Sequence, residues 1–159
     1  MTIICIKDRK LAWDSQLTAS GGLRWGSVRD KVRAFKKAGH VFYLGGCGQW
    51  FHIQAFIRRI EDMDEEVLRE FCKDPKHNVP NSTSLFMYDP LKQILFEFGD
   101  KGPPVWLDMK GKNYALGTGY EYAYGVMDSG KSAREAVKMV VGRFDGCGLP
   151  IRTAEWRKK

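Results

Sequence analysis

The chain has 159 residues and a formal net charge of +7, with 26 lysine and arginine residues against 19 aspartate and glutamate residues. This length predicts a single domain over residues 1–159, large enough to fold without support from disulfides or metal. The sequence has no apolar run near the ~20 residues that cross a bilayer and no signal-peptide pattern at its start, so we expect a cytoplasmic protein that does not enter membranes.

The cysteines and histidines give no indication of a metal site or a cofactor. The four cysteines are Cys5, Cys47, Cys72 and Cys147. They form no C-x-x-C pair, and the three histidines lack the spacing of metal ligands, so reduced thiols without a metal are predicted. The positive charge is concentrated in part at 29–37 and 157–159, but no nucleic-acid-binding motif accompanies it. A solvated basic face is therefore the favoured interpretation.

The first part of the chain is predicted to form strands. An apolar run at 2–7, a polar turn beginning at Asp8 and a second apolar run at 11–13 are typical of a β-hairpin. The glycine-rich stretch 21–27 then interrupts the pattern. Further strands are predicted at residues 31–35 and 41–44.

A long amphipathic helix is predicted from Gln49 to about Cys72. It follows a glycine-rich turn at 45–48, where the period of the apolar residues changes from that of a strand to that of a helix. The apolar positions, spaced by three and four, are Phe51, Ala55, Phe56, Ile60, Met63, Val67, Leu68 and Phe71.

The second half alternates short strands with two helices. Strands are predicted at residues 84–88, 93–98 and 151–156, and a helix at residues 121–129. A second helix is predicted to begin at Ser132, because Ser132 and Glu135 match a capping box, in which the two side chains satisfy each other's backbone N–H groups. This order of strands and helices predicts an α+β fold with antiparallel sheets rather than βαβ units.

Four residues suggest chemistry through their order along the chain. Thr2 starts the first strand and Asp14 follows the second. Lys31 opens a later strand, and Gly45 lies in the glycine-rich turn. Alone, each has a plain structural explanation, as a strand residue, a turn acid, one charge in a basic stretch and a turn glycine. In this order, however, they resemble a known arrangement.

The chain resembles the N-terminal-nucleophile (Ntn) hydrolases of the proteasome β-subunit type, including the proteolytic subunit of the bacterial two-component ATP-dependent protease and related bacterial and phage proteins. Residues 2–6 resemble the opening strand of that family, residues 14–18 its D-x-x-x-T turn, and residues 27–35 the segment that carries its catalytic lysine. Residues 116–128, LGTGYEYAYGVMD, are the most specific stretch, because they are similar to the G-S-G and Y-A-Y-G-V-M-D sequence of catalytic proteasome subunits. The resemblance implies a four-layer αββα sandwich, with two antiparallel sheets between helix layers.

The resemblance also implies a reaction, the hydrolysis of peptide bonds by an amino-terminal threonine. Aminopeptidases normally remove methionine before a small residue, which would leave Thr2 with its own α-amine beside its hydroxyl. Such an amine has a reference pKa of about 7.7–8.0 and suits a general base near neutral pH. Lys31 would disfavour protonation of the amine and stabilise the attacking oxygen, and Asp14 would hold Lys31. The backbone N–H of Gly45 would bind the oxyanion.

Supporting roles follow from the resemblance alone. Thr118 stands where the family has a serine that supports the amine. Asp145 and Cys147 stand near the positions of a family aspartate and serine, although the aspartate is one or two residues closer and the serine is replaced by a thiol, which is a poorer hydrogen-bonding group. Together with Thr2, Asp14, Lys31 and Gly45, these are the candidate catalytic residues.

The expected substrate is a peptide or an unfolded protein. It would bind as an added strand along the backbone of Thr18, Gly46 and Cys47, with Tyr43 and Cys47 lining the pocket for the side chain before the scissile bond. Family members form rings, so a homo-oligomeric ring is expected. Because the chain has no ATP-binding motif of its own, any ATPase would be a separate partner.

The main alternative is a catalytically silent member of the same fold, which builds a ring or binds a partner and keeps Met1. Nucleic-acid binding, suggested only by the net charge, is a distant third and would be steeply salt-dependent. Removal or retention of Met1 distinguishes the peptidase from the catalytically silent protein.

Overall fold

The computed structural model describes residues 1–18, 24–27, 31–37, 39–74, 79, 82–99 and 103–156. Two compact units are present, one made of Met1–Lys31 and Met109–Lys159 and the other of Val32–Asp108. Each unit has its own sheet, helices and core, and the single domain expected from the length of the chain stays a prediction.

Short strands and four helices make up most of the described residues. In chain order, the strands are β1 (Ile3–Lys7), β2 (Lys10–Asp14), β3 (Gln16–Thr18), β4 (Arg24–Ser27), β5 (Val32–Lys37), β6 (His40–Cys47), β7 (Ser84–Asp89), β8 (Ile94–Phe98), β9 (Val105–Asp108), β10 (Tyr114–Gly117) and β11 (Ile151–Glu155). The helices are α1 (Trp50–Asp62), α2 (Glu65–Lys73), α3 (Tyr120–Asp128) and α4 (Ala133–Arg143). None of these four helices combines the length and the apolar character that crossing a membrane requires.

The first unit is built on a four-stranded antiparallel sheet with the order β10-β1-β2-β11. The predicted hairpin is confirmed as β1 and β2, and its turn is tight because Asp8 and Arg9 both have positive φ, 50° and 63°. Helices α3 and α4 pack against one face of this sheet. The buried residues between sheet and helices include Ile3, Cys5, Ala12, Ala123, Ala136, Val137 and Val140.

The predicted capping box at the start of α4 is also confirmed. The Ser132 hydroxyl accepts a hydrogen bond from the Glu135 N–H, and the Glu135 carboxylate accepts one from the Ser132 N–H. The Ser132 hydroxyl also donates to this carboxylate, and the bonds from the Ser132 N–H and hydroxyl lower the pKa of Glu135 from its ordinary value. The capping box therefore fixes the start of α4 at Ser132.

The second unit is built on a five-stranded antiparallel sheet in which neighbours follow chain order, β5-β6-β7-β8-β9. Helices α1 and α2 cover one face of it. The core on that face includes Phe42, Leu44, Ile53, Phe56, Ile57, Ile60, Leu68, Phe71, Leu85, Met87 and Phe98. Because side chains alternate along a strand, the other face of β6 carries Tyr43, Gly45 and Cys47.

The predicted helix over 49–72 is two helices. Met63 and Asp64 take extended backbone conformations, with ψ of 138° and 160°, so the chain leaves the helix and re-enters it. Aspartate favours the position before a helix, and Glu65 and Glu66 then place negative charge at the positive end of α2. The acidic residues Asp64, Glu65 and Glu66 therefore start a new helix.

The buried stripe of α1 also differs from the predicted one. Phe51, Ala55 and Val67 are exposed, whereas Ile53 and Ile57, which were not among the predicted apolar positions, are buried. Phe56 and Ile60 are buried as predicted, and with Ile53 and Ile57 they form the stripe that packs on the sheet, so the prediction found half of this stripe.

Several strands were missed or misplaced. Strands β9 and β10 and the two-stranded ribbon β3-β4 were not predicted. Gly45 lies inside β6, opposite Val32 of β5 and Phe86 of β7, rather than in a turn. The chain leaves this strand only at Gly48, whose φ of +113° suits glycine.

Candidate active site

A buried ion pair joins Asp14, the last residue of β2, to Lys31. The Lys31 Nζ lies 3.0 Å from each carboxylate oxygen of Asp14, and the two side chains expose only 2% and 0% of their surface. Removing the charge of Lys31 would leave the Asp14 carboxylate buried and uncompensated. Two residues that the sequence analysis selected for chemistry are thus in direct contact.

Backbone N–H groups complete the surroundings of the Asp14 carboxylate. The Ile3 N–H donates to Oδ1 at 2.9 Å, and the N–H groups of Gln16 and Gly148 donate to Oδ2 at 3.2 Å. The carboxylate therefore ties β1, the end of β2 and the loop before β11 together at one point. With both oxygens engaged, its orientation towards Lys31 is fixed.

Thr2 lies beside this pair. Its side chain is nine-tenths buried, and its backbone C=O accepts a hydrogen bond from the Thr118 N–H at 2.7 Å. The C=O of Met1 accepts a hydrogen bond from the Lys31 Nζ at 3.2 Å. Because the Met1 carbonyl carbon is bonded to the Thr2 nitrogen, Lys31 lies next to the atom that becomes an α-amine once Met1 is removed.

Gly117 allows the end of β10 to approach Thr2 closely. Its φ is +104°, and a Cβ at this position would lie 1.9 Å from the Thr2 carbonyl oxygen. We expect Gly117→Ala to lower the free energy of unfolding by about 3 kcal/mol, because both the backbone conformation and the contact are lost. Urea denaturation measures this change.

Gly111→Ala is the matched control for that substitution. Gly111 also has positive φ, +65°, but no atom lies within 4 Å of a Cβ there. This variant should lose only about 1 kcal/mol, from backbone strain alone. Equal losses in the two variants would show that the approach to Thr2 contributes nothing.

Thr118 and Cys147 are brought together, and Asp145 is not. A hydrogen bond joins the Thr118 side chain to the Cys147 thiol, whose pKa is raised to about 11, first by burial and then by the Asp14 carboxylate. Such a thiol is neutral at pH 7, so it serves as a weak hydrogen-bonding group and not as a thiolate. Asp145 is exposed, and no described residue forms a hydrogen bond with it.

The other predicted residues lie on β6 or in the β3-β4 ribbon. Tyr43 is buried, which raises the pKa of its hydroxyl, and burial raises the pKa of Cys47 to about 11. At Gly46, a Cβ would lie 2.5 Å from a carbonyl oxygen of β7. Gly45 belongs to the same unit as these three, and the side chain of Thr18 lies outside the described part of the chain. Their roles in binding substrate and the oxyanion stay predictions.

Sequence reasoning missed Gln16 and Gly148, which hold Asp14 in place. A Cβ at Gly148 would lie 1.7 Å from the Gln16 Oε1, so a larger residue there would require the Gln16 side chain to move. An aspartate that accepts the N–H two residues further on is a common local pattern, so the bond from Gln16 had a signal in the sequence. Gly148 is 134 positions away from Asp14, and nothing local could have indicated it.

Comparisons with known proteins identify the fold. No family model matches the sequence, and no curated protein matches it. Among solved structures, the chain is similar over 96% of its length to BPH from Thiobacillus denitrificans in complex with epoxomicin, at 17% identity, with a TM-score of 0.63 and 96% of that chain covered.

Two Anbu structures are also similar. The Anbu complex from Pseudomonas aeruginosa, a helical assembly, matches 98% of the chain at 14% identity, with a TM-score of 0.68 and 81% of that chain covered. Anbu (ancestral beta-subunit) from Yersinia bercovieri matches 96% of the chain at 15% identity, with a TM-score of 0.63 and 79% of that chain covered.

These neighbours are proteasome-like proteins, and at such low identity the likeness concerns the fold alone. The predicted α+β fold is confirmed: the described residues form two larger antiparallel sheets with four helices, matching the Ntn-hydrolase-like fold of BPH and Anbu. The chain thus has a proteasome-like fold, and its chemistry has to be argued from its own residues.

Proposed function

We propose that the protein is a threonine-type peptidase, which hydrolyses peptide bonds through Thr2 after cleavage of the Met1–Thr2 bond. The observation that carries the proposal is the position of Lys31, which pairs with the buried Asp14 carboxylate and also donates to the Met1 carbonyl oxygen at 3.2 Å. Well-packed apolar residues would stabilise a fold as well as a buried ion pair does, or better. A role in catalysis therefore explains the presence of this ion pair more directly than a contribution to stability does.

The amine of Thr2 would be the general base. Its reference pKa of about 7.7–8.0 already leaves part of it neutral at pH 7. The positive charge of Lys31 beside it disfavours the protonated form and so increases the neutral fraction. The neutral amine then takes the hydroxyl proton, directly or through one water, as the Thr2 Oγ attacks the substrate carbonyl.

The remaining steps of the reaction use the same α-amine and hydroxyl of Thr2. The C–N bond of the substrate breaks, the leaving nitrogen takes the proton from the amine, and the acyl group stays on the Thr2 Oγ as an ester. Water, activated by the same amine, hydrolyses this ester and releases the acid. The N–H of Gly45 is the proposed donor to the oxyanion in both steps, a role worth about 3 kcal/mol in comparable enzymes.

The proposed substrate is a peptide or an unfolded protein that adds as a strand along Thr18, Gly46 and Cys47, with Tyr43 and Cys47 lining the first pocket. Two neighbours support this choice of substrate class and the expected oligomeric state. BPH is bound to epoxomicin in its structure, and Anbu from Pseudomonas aeruginosa forms a helical assembly. The helical assembly of that neighbour supports a homo-oligomer. On the sequence alone we also propose that the protein is cytoplasmic, that it is related to the proteolytic subunit of the bacterial ATP-dependent protease and that a separate ATPase serves it.

Intact mass and peptide hydrolysis, measured on the same preparation from the native host, test the proposal. We expect the mass of a chain that lacks Met1, together with hydrolysis of fluorogenic peptides that epoxomicin inhibits. Retention of Met1 in native material, or a processed chain that cleaves no peptide, would contradict the proposed function.

A catalytically silent subunit is the second candidate. One observation favours it: Met1 has contacts of its own, with its carbonyl oxygen bonded to the Lys31 Nζ and its side chain over Gly146, and while Met1 is attached the Thr2 nitrogen cannot act as a base. Such a subunit would keep Met1 in its native host and still assemble. The mass measurement therefore separates the two candidates directly.

A further inference from the structure

Met1 occupies a defined place in the first unit. Its side chain covers the α-carbon of Gly146, since a Cβ built on Gly146 would lie 2.2 Å from the Met1 Cε and 3.1 Å from its Sδ. Its carbonyl oxygen is held by Lys31 at 3.2 Å. Met1 is thus in contact through both its backbone and its side chain, while 49% of its surface is exposed.

The space that Met1 fills lies on the nitrogen side of Thr2. In the proposed reaction, the leaving nitrogen of the substrate takes its proton from the Thr2 amine, so it has to come within hydrogen-bond distance of that amine or within one water of it. Met1 is bonded to the same nitrogen and fills space around it. When Met1 leaves, the surface over Gly146 opens to the part of the substrate that carries the leaving nitrogen.

We propose that the surface over Gly146 binds the first side chain after the scissile bond and selects an unbranched apolar side chain of about the length of methionine. The proposal rests on the proposed function. Gly146 has a φ of +91°, and its missing Cβ makes the room that the thioether now fills. The Met1 Cβ lies 3.3 Å from the position of that missing Cβ, so the side chain of Met1 follows Gly146 from its Cβ to its Cε.

A set of internally quenched peptides that differ only in the residue after the scissile bond tests this selection. Methionine, valine, glycine and aspartate are compared at that position. We expect kcat/KM for the methionine peptide to exceed each of the other three by more than about fivefold, which is less than the roughly 10–200-fold of an enclosed apolar pocket because the Met1 side chain is only half covered. A smaller ratio against any of them would overturn the proposal.

Peptides with a fluorescent dye as leaving group separate this inference from the function on which it rests. Such substrates lack the side chain in question and report hydrolysis alone. A processed chain that cleaves the dye peptides but treats the quenched series equally keeps the proposed function and rejects the selection. A chain that cleaves neither rejects both.

Gly146→Ala and Gly130→Ala form a matched pair of variants. Both positions have similar positive φ, +91° and +93°, but a Cβ at Gly130 would meet no atom within 4 Å. We expect Gly146→Ala to bring the methionine-to-glycine ratio close to one and Gly130→Ala to preserve it. Equal ratios in the two variants would overturn the proposal. If Gly146→Ala does not fold, the peptide series on the parent chain decides alone.

Discussion

Replacing Thr2 by alanine is expected to reduce peptide hydrolysis by at least about 10³-fold, because the oxygen that forms the acyl ester is removed. Alanine is as suitable as threonine for removal of Met1, so the amine is still exposed and the change isolates the hydroxyl. The measurement is kcat/KM on fluorogenic peptides, with intact mass to verify that Met1 is absent.

Thr2→Ser is the matched variant, since it keeps both the hydroxyl and the amine. We expect it to retain hydrolysis within about 10-fold of the parent, because only a methyl group that orients the hydroxyl is lost. The free energy of unfolding should change by only about 1 kcal/mol in either variant. A Thr2→Ala chain that hydrolyses peptides as fast as the parent would exclude Thr2 as the nucleophile.

The second large effect is on stability. Lys31→Met is expected to lower the free energy of unfolding by about 3–5 kcal/mol, because it leaves the buried Asp14 carboxylate without its counter-charge. For a chain of this size, that corresponds to a fall of roughly 10 °C in Tm. Urea and thermal denaturation measure this loss of stability. Because neither method depends on activity, the measurement tests the buried ion pair itself.

Arg33→Met is the control for loss of a positive charge. Arg33 pairs with Glu61 at 3.0 Å, but the two side chains are 33% and 26% exposed, and such pairs contribute about 0–1 kcal/mol. The double variant Asp14→Asn/Lys31→Met should recover part of the loss seen in Lys31→Met, because no unpaired charge is left behind. Equal losses in Lys31→Met and Arg33→Met would contradict the description of a buried pair.

Elements that depend on neighbouring residues could be predicted from the sequence. The hairpin turn at Asp8 and the capping box at Ser132 are examples, since each is decided within a few residues. The helix break at Met63 was missed because apolar residues at helical spacing continue on both sides of it, although Asp64 followed by Glu65 and Glu66 is a sequence signal for a helix start. Strand β9 was missed because Val105 and Trp106 are 52% and 64% exposed, which gives no alternation of buried and exposed residues.

The candidate site was predictable as a set of residues and not as an arrangement. Family order selected five residues of the first unit that hydrogen bonds place in two groups, Asp14 with Lys31 and Thr2 with Thr118 and Cys147. Asp145 departs from the family spacing and is exposed. The contacts of Gly148 with Asp14 and Gln16 depend on the folded loop, so no pattern in the sequence could have shown them.

The hydrogen bonds of Asp14 also set the order in which the site can form. Its carboxylate gathers an N–H that is 11 positions away, an ammonium 17 positions away and a second N–H 134 positions away. Contacts between such distant residues form late and slowly compared with local ones. A chain still being synthesised carries Thr2 and Lys31 long before residue 148 has been made. Assembly of the site therefore waits for the loop before β11, and hydrolysis cannot precede folding.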